Sequence, residues 1–282
     1  MPVLVDYNQV FISGLMKQPN LMKEGVQLDL VRHIVLNQIR MYRTKYLKKY
    51  GELVICCDNR NYWRKTVFPF YKANRKKMRE TSDYDWNGIF DGLNQVKSEL
   101  YENFPYKVIE VCTCEADDII AIIVSHFPPS PTLILSGDKD FMQLQKFEHV
   151  EQYSPMQKKF LRCDNPKQKL REHILRGDKS DGIPNILSDD DSIVNENKRQ
   201  SPLTKVKVEA WIDQQPIELP DQSTIENYNR NEKLVDLTKV PENLTEQIKD
   251  AYDNSVPNSR TKIFGYMMEH RLKNLLEHLE EF

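Results

Sequence analysis

The sequence predicts an α/β protein with a mostly parallel central sheet flanked by helices, followed by a smaller C-terminal helical domain. Two observations lead to this prediction. Four short apolar runs show little alternation of polar and apolar residues, which is typical of strands covered on both faces. The segments between the runs have apolar residues at helical spacing, and strands that alternate with helices indicate a parallel sheet. The four runs are PVLVD (2–6), LVICCD (53–58), KVIEV (107–111) and PTLILS (131–136).

Three amphipathic helices are predicted between these strands. The first apolar stripe runs from Leu28 to Tyr46, and Gly51 follows it as a typical helix C-cap. A second stripe runs from Trp86 to Phe104 and a third from Ile119 to Phe127. Each helix can therefore bury one face against the sheet.

The pattern changes after about residue 185. The segment SDDDSIVNENKRQSP (188–202) is polar and has no periodicity, so we expect a loop with a composition that suits disorder. Only helical patterns follow: around Val206 to Ile212, from a capping box at Ser223-x-x-Glu226, after Pro241, and one long amphipathic helix from Arg260 to the end. We therefore predict two domains, residues 1–185 and 186–282.

The composition is that of an ordinary globular protein, with 282 residues and a formal charge of −2. The five cysteines form no metal-binding pattern and are expected to be reduced thiols in the core. The N-terminus lacks a basic signal segment, and no apolar run approaches the roughly 18 residues that a membrane span needs. These features predict a cytoplasmic protein.

Acidic residues follow the predicted strands at the edge where parallel strands end together and bind ligands. A single Asp after a strand usually caps a helix or turn, but several converging carboxylates must take up protons or bind a cation. Glu115 and Asp117 can both reach this edge only if Glu115 lies before the first turn of its helix. A strand-to-helix junction places it there. With no His or Cys expected nearby, oxygen ligands favour Mg²⁺ or Mn²⁺. The candidate ligands are Asp6, Asp58, Glu115, Asp117, Asp118, Asp138, Asp140, Asp178 and Asp181.

A basic and aromatic stretch leaves directly from Asp58. Residues 59–79 contain eight Lys or Arg and no acid, and five aromatic rings are interleaved with them. Such a run is often a solvated helix face. Beside an acidic edge, however, its cations would attract phosphates and its rings could stack on bases. This combination favours metal-dependent hydrolysis of a phosphodiester, with a basic arch at about residues 59–82.

Seven motifs together resemble the structure-specific 5′ nucleases, a family that includes flap endonucleases, the 5′ nuclease domain of bacterial DNA polymerase I and phage exonucleases. They occur in the order LVDYNQV, CCDN, FPFYKANRKK, EADDIIA, SGDKDFMQL, GDKSDGIP and NEKLVDLTKVP. The resemblance covers nearly the whole chain. It implies the PIN-like 5′ nuclease fold.

The resemblance also implies an activity: a 5′→3′ exonuclease and flap endonuclease with ribonuclease H activity, which removes RNA primers from lagging-strand fragments in phage DNA replication. Its implied substrates are RNA–DNA hybrids and flap or nicked duplex DNA, and its implied cofactor is two Mg²⁺ ions, with Mn²⁺ able to substitute. A monomer is expected, in the host cytoplasm, with a sliding clamp and a single-strand-binding protein as candidate partners.

The resemblance assigns roles to individual residues. Asp6, Asp58, Glu115, Asp117 and Asp138 match ligands of the first metal or its waters, and Asp118, Asp140, Asp178 and Asp181 match those nearer the second. Lys72 matches the basic arch residue that holds the scissile phosphate, helped by Arg64 and Arg75. The remaining expected nucleic-acid contacts are Arg60, Lys65, Tyr71, Lys76, Lys77, Arg79, Lys205 and Lys207.

One segment departs from the family pattern. Most relatives have a glycine-rich hairpin after GD-SD, which grips duplex backbone and often holds a potassium ion, but here NILSDDDSIVNENK (185–198) takes its place. We therefore expect duplex binding to rely on other basic residues: Lys198, Arg199, Lys205 and Lys207.

Two other function classes stay open from the sequence. A catalytically silent nucleic-acid-binding protein could keep the fold, although no carboxylate of the pattern is lost. A phosphatase with an Asp nucleophile could use GDKD (137–140), although it would leave the basic stretch unexplained. The six histidines are scattered, so no nucleophilic triad or other chemical role is expected of them.

Overall fold

The computed structural model describes residues 2–23 and 25–282. Six strands form one sheet in the order β3-β2-β1-β4-β5-β6, and every neighbouring pair is parallel except β5 with β6. The strands are β1 (Val3–Asp6), β2 (Leu53–Cys57), β3 (Lys107–Glu110), β4 (Thr132–Leu135), β5 (Val150–Ser154) and β6 (Lys159–Leu161).

The four predicted strands are confirmed. Neighbouring side chains of β1 alternate between two buried layers, with Val3 and Val5 on one face of the sheet and Leu4 on the other. Burial on both faces explains why these strands are continuously apolar. Strands β5 and β6 were not predicted, because β6 is an edge strand with exposed Lys159 and Phe160 and β5 contains polar Gln152.

Twelve α-helices lie within the described residues. Gly51 does end the second helix: its φ is +82° and its N–H binds Leu47 O. The helices are α1 (Tyr7–Leu15), α2 (Leu28–Tyr50), α3 (Arg64–Val67), α4 (Asn74–Glu80), α5 (Trp86–Asn103), α6 (Ala116–His126), α7 (Pro166–Arg176), α8 (Lys205–Trp211), α9 (Gln222–Val235), α10 (Glu242–Asn254), α11 (Thr261–Glu269) and α12 (Lys273–Leu276).

Three hydrophobic clusters hold these elements together. The largest joins one face of the sheet to α1, α2, α5, α11 and α12. The second joins the opposite face to α6 and α10. The third lies beside the sheet and joins α7, α8 and α9 to Phe68 and Tyr71 of the basic stretch. Each cluster therefore combines residues before and after position 185, and the domain boundary there stays a prediction.

Three details after residue 185 differ from expectation. Helix α9 is capped by Asp221, whose carboxylate accepts from Thr224 N, rather than by Ser223. The predicted long terminal helix is broken between α11 and α12, where Arg271 has a φ of +55°. The polar loop is held in place: Asn185 Nδ2 donates to Ser201 O at 2.9 Å.

Two general expectations can also be compared with the structure. Cys56, Cys57 and Cys114 are buried free thiols, whereas Cys112 is exposed and Cys163 partly exposed. No helix within the described residues is long and apolar enough to cross a membrane.

Candidate active site

Acidic side chains gather where the parallel strands end. Asp6 is the last residue of β1 and Asp58 follows β2. Glu115 is the N-cap of α6, which is the position before the first helical turn that the sequence predicted. Asp138 follows β4 and caps the 3₁₀ helix Lys139–Lys146, so its carboxylate accepts from Asp140 N at 3.0 Å.

Asp6 and Asp58 are held by neutral donors. Asp6 accepts from Ser136 Oγ at 2.9 Å and from Gln9 N at 3.2 Å. Asp58 accepts from Asn8 Nδ2 and from Ala116 N, both at 2.8 Å. These bonds fix the direction of both carboxylates without cancelling their negative charge.

The pKa values of four acids are raised at this edge. Burial and the nearby carboxylates of Asp58 and Asp138 raise the pKa of Asp6 to about 7. Burial, followed by repulsion from Asp138, raises the pKa of Asp140 to about 7 and that of Asp117 well above its ordinary value. Burial also raises the pKa of Asp138. The cause is negative charge concentrated in a poorly solvated space.

This donor set fits a divalent cation. Oδ1 of Asp140 is buried and has no hydrogen-bond partner among the described residues. Together with Asp6, Asp58, Asp117 and Asp138 it supplies oxygen ligands, which hard divalent cations prefer. A bound cation would relieve the repulsion that raises the pKa values.

Glu115 and Asp118 are instead neutralised by cations of the chain itself. Arg64 donates from Nη1 to Glu115 at 2.9 Å and from Nη2 to Asp118 at 2.7 Å. Asp118 also accepts from Trp63 Nε1 and from Glu115 N. Burial would raise the pKa of Glu115, but Lys72 and Arg64 outweigh it and lower the pKa.

Two predicted roles are corrected by these contacts. Asp118 is fully buried and its oxygens are occupied by Arg64 and neighbouring donors, so it does not face the site as a metal ligand would. Arg64 is 2% exposed and also donates to Leu234 O, so it cannot reach a phosphate. Both residues position α6 and Glu115.

Asp178 caps the 3₁₀ turn Lys179–Asp181, which ends with Asp181 and folds over the same edge. Asp181 contacts Arg75, and accepts from Tyr71 Oη at 3.2 Å. Asp178 accepts from Ser180 and lies 3.1 Å from Lys139 Nζ. Burial would raise the pKa of Asp178, but its donors outweigh burial and lower it.

His173 was missed by the sequence reasoning. Its ring lies between two of the predicted ligands, with Nδ1 3.4 Å from Asp140 Oδ1 and Nε2 3.2 Å from Asp178 Oδ2. The expectation that no histidine lies near the acids is therefore wrong. The available signal was its position in α7, five residues before Asp178, which places it in the turn leading into GDKSD.

Lys72 reaches into the acidic site from the base of the basic stretch. Its Nζ contacts Glu115 Oε1 and lies 3.7 Å from Asp181 Oδ2. Its backbone has a φ of +56°, and its N–H donates to Asp181 O at 2.7 Å. This bond ties the stretch to the turn that contains Asp181.

A groove of about 680 Å³ runs from Asp58 along the basic stretch. Arg60, Lys65 and Arg79 line it together with Lys72 and Arg75. The opposite wall comes from α5, through Asn87, Phe90, Asp91 and Asn94. This wall was not predicted, because Phe90 belongs to the apolar stripe from Trp86 to Phe104.

The other predicted nucleic-acid contacts differ in exposure. Tyr71 is 3% exposed and donates to Glu115 and Asp181, so its predicted contact with nucleic acid is corrected: it cannot stack on a base. Trp63 and Phe68 are also buried. Lys198 pairs with Asp189 and Asp191, which neutralise its charge. The exposed cations Lys76 and Lys77 on α4, Arg199 in the loop, and Lys205 and Lys207 on α8 stay predictions.

Comparison with protein families gives two matches. Residues 3–173 match the family described as "5′-3′ exonuclease, N-terminal resolvase-like domain", and residues 165–282 match "T4 RNase H, C terminal". The first match covers more than half of the chain. The chain belongs to the 5′–3′ exonuclease family. The family resemblance predicted from the seven motifs is thereby confirmed.

Individual relatives agree with this family. The ribonuclease H of Enterobacteria phage T4 is 34% identical over 99% of this chain and 95% of its own length. The flap endonuclease Xni of Shewanella pealeana is 31% identical over 44% of this chain and 48% of its own length. The exonuclease of Escherichia phage T7 is 30% identical over 39% of this chain and 35% of its own length.

Solved structures of the 5′ nuclease of phage T5 share the fold. A T5 protein co-crystallised with metal ions has a TM-score of 0.62 at 18% identity, covering 89% of this chain and 98% of that chain. A T5 flap endonuclease variant in a pseudo-enzyme-product complex with DNA and metal ions gives the same TM-score and coverage. The predicted fold class, a mostly parallel sheet with flanking helices and a helical C-terminal part, is confirmed.

Proposed function

We propose that this protein hydrolyses phosphodiesters near the 5′ ends of RNA–DNA hybrids and of flap or nicked duplex DNA, as a 5′→3′ exonuclease and flap endonuclease. One observation carries the proposal: carboxylates with raised pKa values lie next to Asp58 and Lys72, and these two residues line a groove together with Arg60, Lys65 and Arg79. Acids alone would repel a phosphate. Acids that hold cations beside a basic groove would bind it.

The cofactor that suits this site is a pair of Mg²⁺ ions, with Mn²⁺ able to substitute. Bound there, such ions would neutralise charge that develops on the phosphate and would activate water. The residues that would hold them are Asp6, Asp58, Asp117, Asp138 and Asp140. Glu115 and Asp181 lie beside these acids, where they hold Lys72 and Arg75.

Lys72 is the residue proposed to hold the scissile phosphate. Its ammonium group already lies among the acids, and a phosphate that arrived there would replace Glu115 as its partner. Arg75 is 42% exposed at its side chain and could donate to the same phosphate from the rim of the site. Both residues would add positive charge where the reaction accumulates negative charge.

The groove supplies a path for one strand. Arg60, Lys65 and Arg79 would bind successive backbone phosphates, while Phe90 and the Asn side chains of α5 face the other side. The exposed cations Lys76, Lys77, Arg199, Lys205 and Lys207 are proposed to bind duplex backbone outside the groove.

The biological role that suits this activity is removal of RNA primers from lagging-strand fragments during phage DNA replication. It is supported by the likeness to the phage T4 ribonuclease H over 99% of the chain. A monomer acting in the host cytoplasm, with a sliding clamp and a single-strand-binding protein as partners, is part of the same proposal.

The decisive experiment uses a 5′-labelled flap duplex and a 5′-labelled RNA–DNA hybrid, incubated with the protein in Mg²⁺. Short 5′ products are expected, and they should disappear in EDTA and with Asp138→Asn. Asparagine can still cap the 3₁₀ helix that Asp138 begins, so the fold should survive. The matched control is Asp164→Asn, since Asp164 is exposed after β6, away from the acidic edge.

Two results would overturn the proposal. Tight binding without cleavage in both Mg²⁺ and Mn²⁺ would make the chain a silent nucleic-acid-binding protein. Hydrolysis of a nucleotide monoester without cleavage of either duplex would make it a phosphatase.

A further inference from the structure

His173 occupies a place that the proposed metal site does not explain. It lies in the last turn of α7, just before Gly177 ends the helix with a φ of +65°. Its side chain is 11% exposed and lies between Asp140 and Asp178. A buried imidazole between two carboxylates needs a chemical reason, because its nitrogens have to bond there rather than to water.

The hydrogen bonds of Asp178 define the orientation of the ring. Oδ1 of Asp178 accepts from Ser180 N at 2.8 Å and from Ser180 Oγ at 2.6 Å. Its Oδ2 lies 3.1 Å from Lys139 Nζ and 3.2 Å from His173 Nε2. Since an ionised carboxylate only accepts, Nε2 must carry a proton and donate it.

The other ring nitrogen then faces an unpartnered oxygen. With Nε2 donating to Asp178, the ring directs Nδ1 at Asp140 Oδ1, at 3.4 Å. That oxygen is buried and has no donor among the described residues. These two atoms can lie side by side inside the protein only with a proton or a cation between them.

The spacing suits a shared metal ion. Ligand atoms about 2.1 Å from one ion are roughly 3.0 to 3.5 Å apart when they are neighbours in its shell. Asp140, His173 and Asp178 each offer an atom within 4.8 Å of the others. A carboxylate that binds one nitrogen of a histidine while the other nitrogen binds a metal is a recurring arrangement in metalloproteins.

We propose that His173 is a metal ligand through Nδ1, at a cation position shared with Asp140, and that Asp178 is the outer carboxylate that orients its ring. This inference rests on the proposed metal-dependent function and adds a nitrogen to a site otherwise built from oxygens. An imidazole ligand favours first-row transition ions over Mg²⁺. This position therefore prefers ions such as Mn²⁺, Co²⁺ or Zn²⁺ more strongly than an oxygen-only site would.

The test is electron spin echo envelope modulation of Mn²⁺ bound to the full chain without a histidine tag. Less than one equivalent of Mn²⁺ is added in the presence of Mg²⁺, so that the position with the nitrogen fills first. Protein of natural isotope content should show a ¹⁴N modulation from a coordinated imidazole. Protein labelled with ¹⁵N only at histidine should lose it and show the ¹⁵N pattern.

Variants assign the nitrogen to one residue. His173→Gln should abolish the modulation and weaken Mn²⁺ binding by about tenfold or more, with a smaller effect on Mg²⁺. The matched control His149→Gln should change neither, because His149 precedes β5 at the opposite edge of the sheet. Circular dichroism verifies that each variant is folded, and the isotope comparison in the unchanged protein does not depend on any variant.

The outcome separates this inference from the proposed function. Bound Mn²⁺ without a coordinated nitrogen, or a modulation that persists in His173→Gln, would overturn the role of His173. If that same protein still cleaves the 5′-labelled substrates, the nuclease proposal stands without it. If Mn²⁺ does not bind at all, the role of His173 fails, and cleavage of the 5′-labelled substrates in Mg²⁺ decides the nuclease proposal separately.

Discussion

At the scale of single residues, the acids of the sheet edge serve two purposes that their chemistry alone does not distinguish. Burial and the like charges of neighbouring carboxylates raise the pKa values of Asp6 and Asp117. Glu115 is just as buried, yet its pKa falls because Arg64 and Lys72 contact it. Asp6 and Asp117 repel their neighbours, and a bound cation would relieve this repulsion. Glu115 instead stabilises the fold through its ion pairs.

The first prediction concerns this repulsion. Asp117→Asn should stabilise the metal-free protein at pH 8, because the raised pKa of Asp117 means that its ionised form costs folding stability. A carboxylate whose folded pKa is raised contributes its full stability below the unfolded pKa and loses it as the pH rises through the folded pKa. The gain should therefore be small at pH 4 and grow toward pH 8. Denaturation by urea in EDTA measures it.

Metal provides the control for this variant. In Mg²⁺ the unchanged protein should gain stability and Asp117→Asn should gain less. The difference in folding stability between the two proteins should therefore become smaller or change sign. A variant that is less stable than the unchanged protein in EDTA at every pH would show that Asp117 is not repelled by its neighbours.

The second prediction concerns Arg64. Arg64→Met should cost about 3–5 kcal/mol of folding stability, because it leaves the carboxylate of Asp118 buried without a cation. Arg79→Met is the matched control, since Arg79 is exposed and lines the groove. It should leave the urea midpoint unchanged and weaken DNA binding, with a shallower salt dependence. Normal stability of Arg64→Met with weakened DNA binding would restore Arg64 as a phosphate contact.

At the scale of elements, the strands that were predicted are those buried on both faces. Helix α1 was missed because it begins at Tyr7, directly after β1, with Asp6 as its cap and no loop to mark the junction. The position of the acids was predictable because parallel strands end together. Their partners were not, because Arg64 is separated from Glu115 by 51 residues and its contact depends on how the basic stretch folds back.

The terminal helices show a different limit of sequence reasoning. The apolar stripe from Phe264 onward has the spacing of one helix, yet the chain turns at Arg271 with a φ of +55°. The turn lets both Met267 and Leu275 reach the same hydrophobic cluster. Tertiary packing thus overrides the local helical pattern, which no window of sequence can show.

The third prediction tests how the turn after Asp181 supports the basic stretch. Gly182 has a φ of +74°, and a Cβ there would lie 2.7 Å from Phe70 O. Gly182→Ala should cost about 1–3 kcal/mol and displace the segment that contains Lys72. Urea denaturation and cleavage of a 5′ flap measure both effects.

Gly265→Ala is the matched control, because a Cβ on Gly265 in α11 meets nothing within 4 Å. This variant should be more stable by about 0.5–1 kcal/mol, since alanine favours a helix. Equal behaviour of the two variants would mean that the contact between Gly182 and Phe70 does not constrain the basic stretch.

At the scale of the whole molecule, the C-terminal helices complete the core of the sheet. Tyr266 Oη donates to Glu99 Oε2 at 2.6 Å, and Arg32 donates to the same carboxylate, so α11 joins α2 and α5 through one buried polar group. Phe282 is fully buried against the same cluster. The N-terminal part of the chain therefore leaves an apolar face uncovered when these residues are absent.

The last prediction follows from that dependence. A chain that ends after residue 254 should lose cooperative unfolding and bind a dye for exposed apolar surface, although it keeps every residue of the candidate active site. Each fully buried apolar side chain contributes about 1.5–3 kcal/mol, against a total stability of about 5–15 kcal/mol. The deletion removes six of them from the main cluster: Ile263, Tyr266, Met267, Leu272, Leu275 and Phe282.

Two neighbouring methionines supply a matched pair in the full chain, because Met267 is 0% exposed and Met268 is 55% exposed. Met267→Ala should cost about 2–5 kcal/mol and Met268→Ala less than about 0.5. If the shortened chain unfolds cooperatively at the urea midpoint of the full chain, the C-terminal helices are an independent domain rather than part of the core.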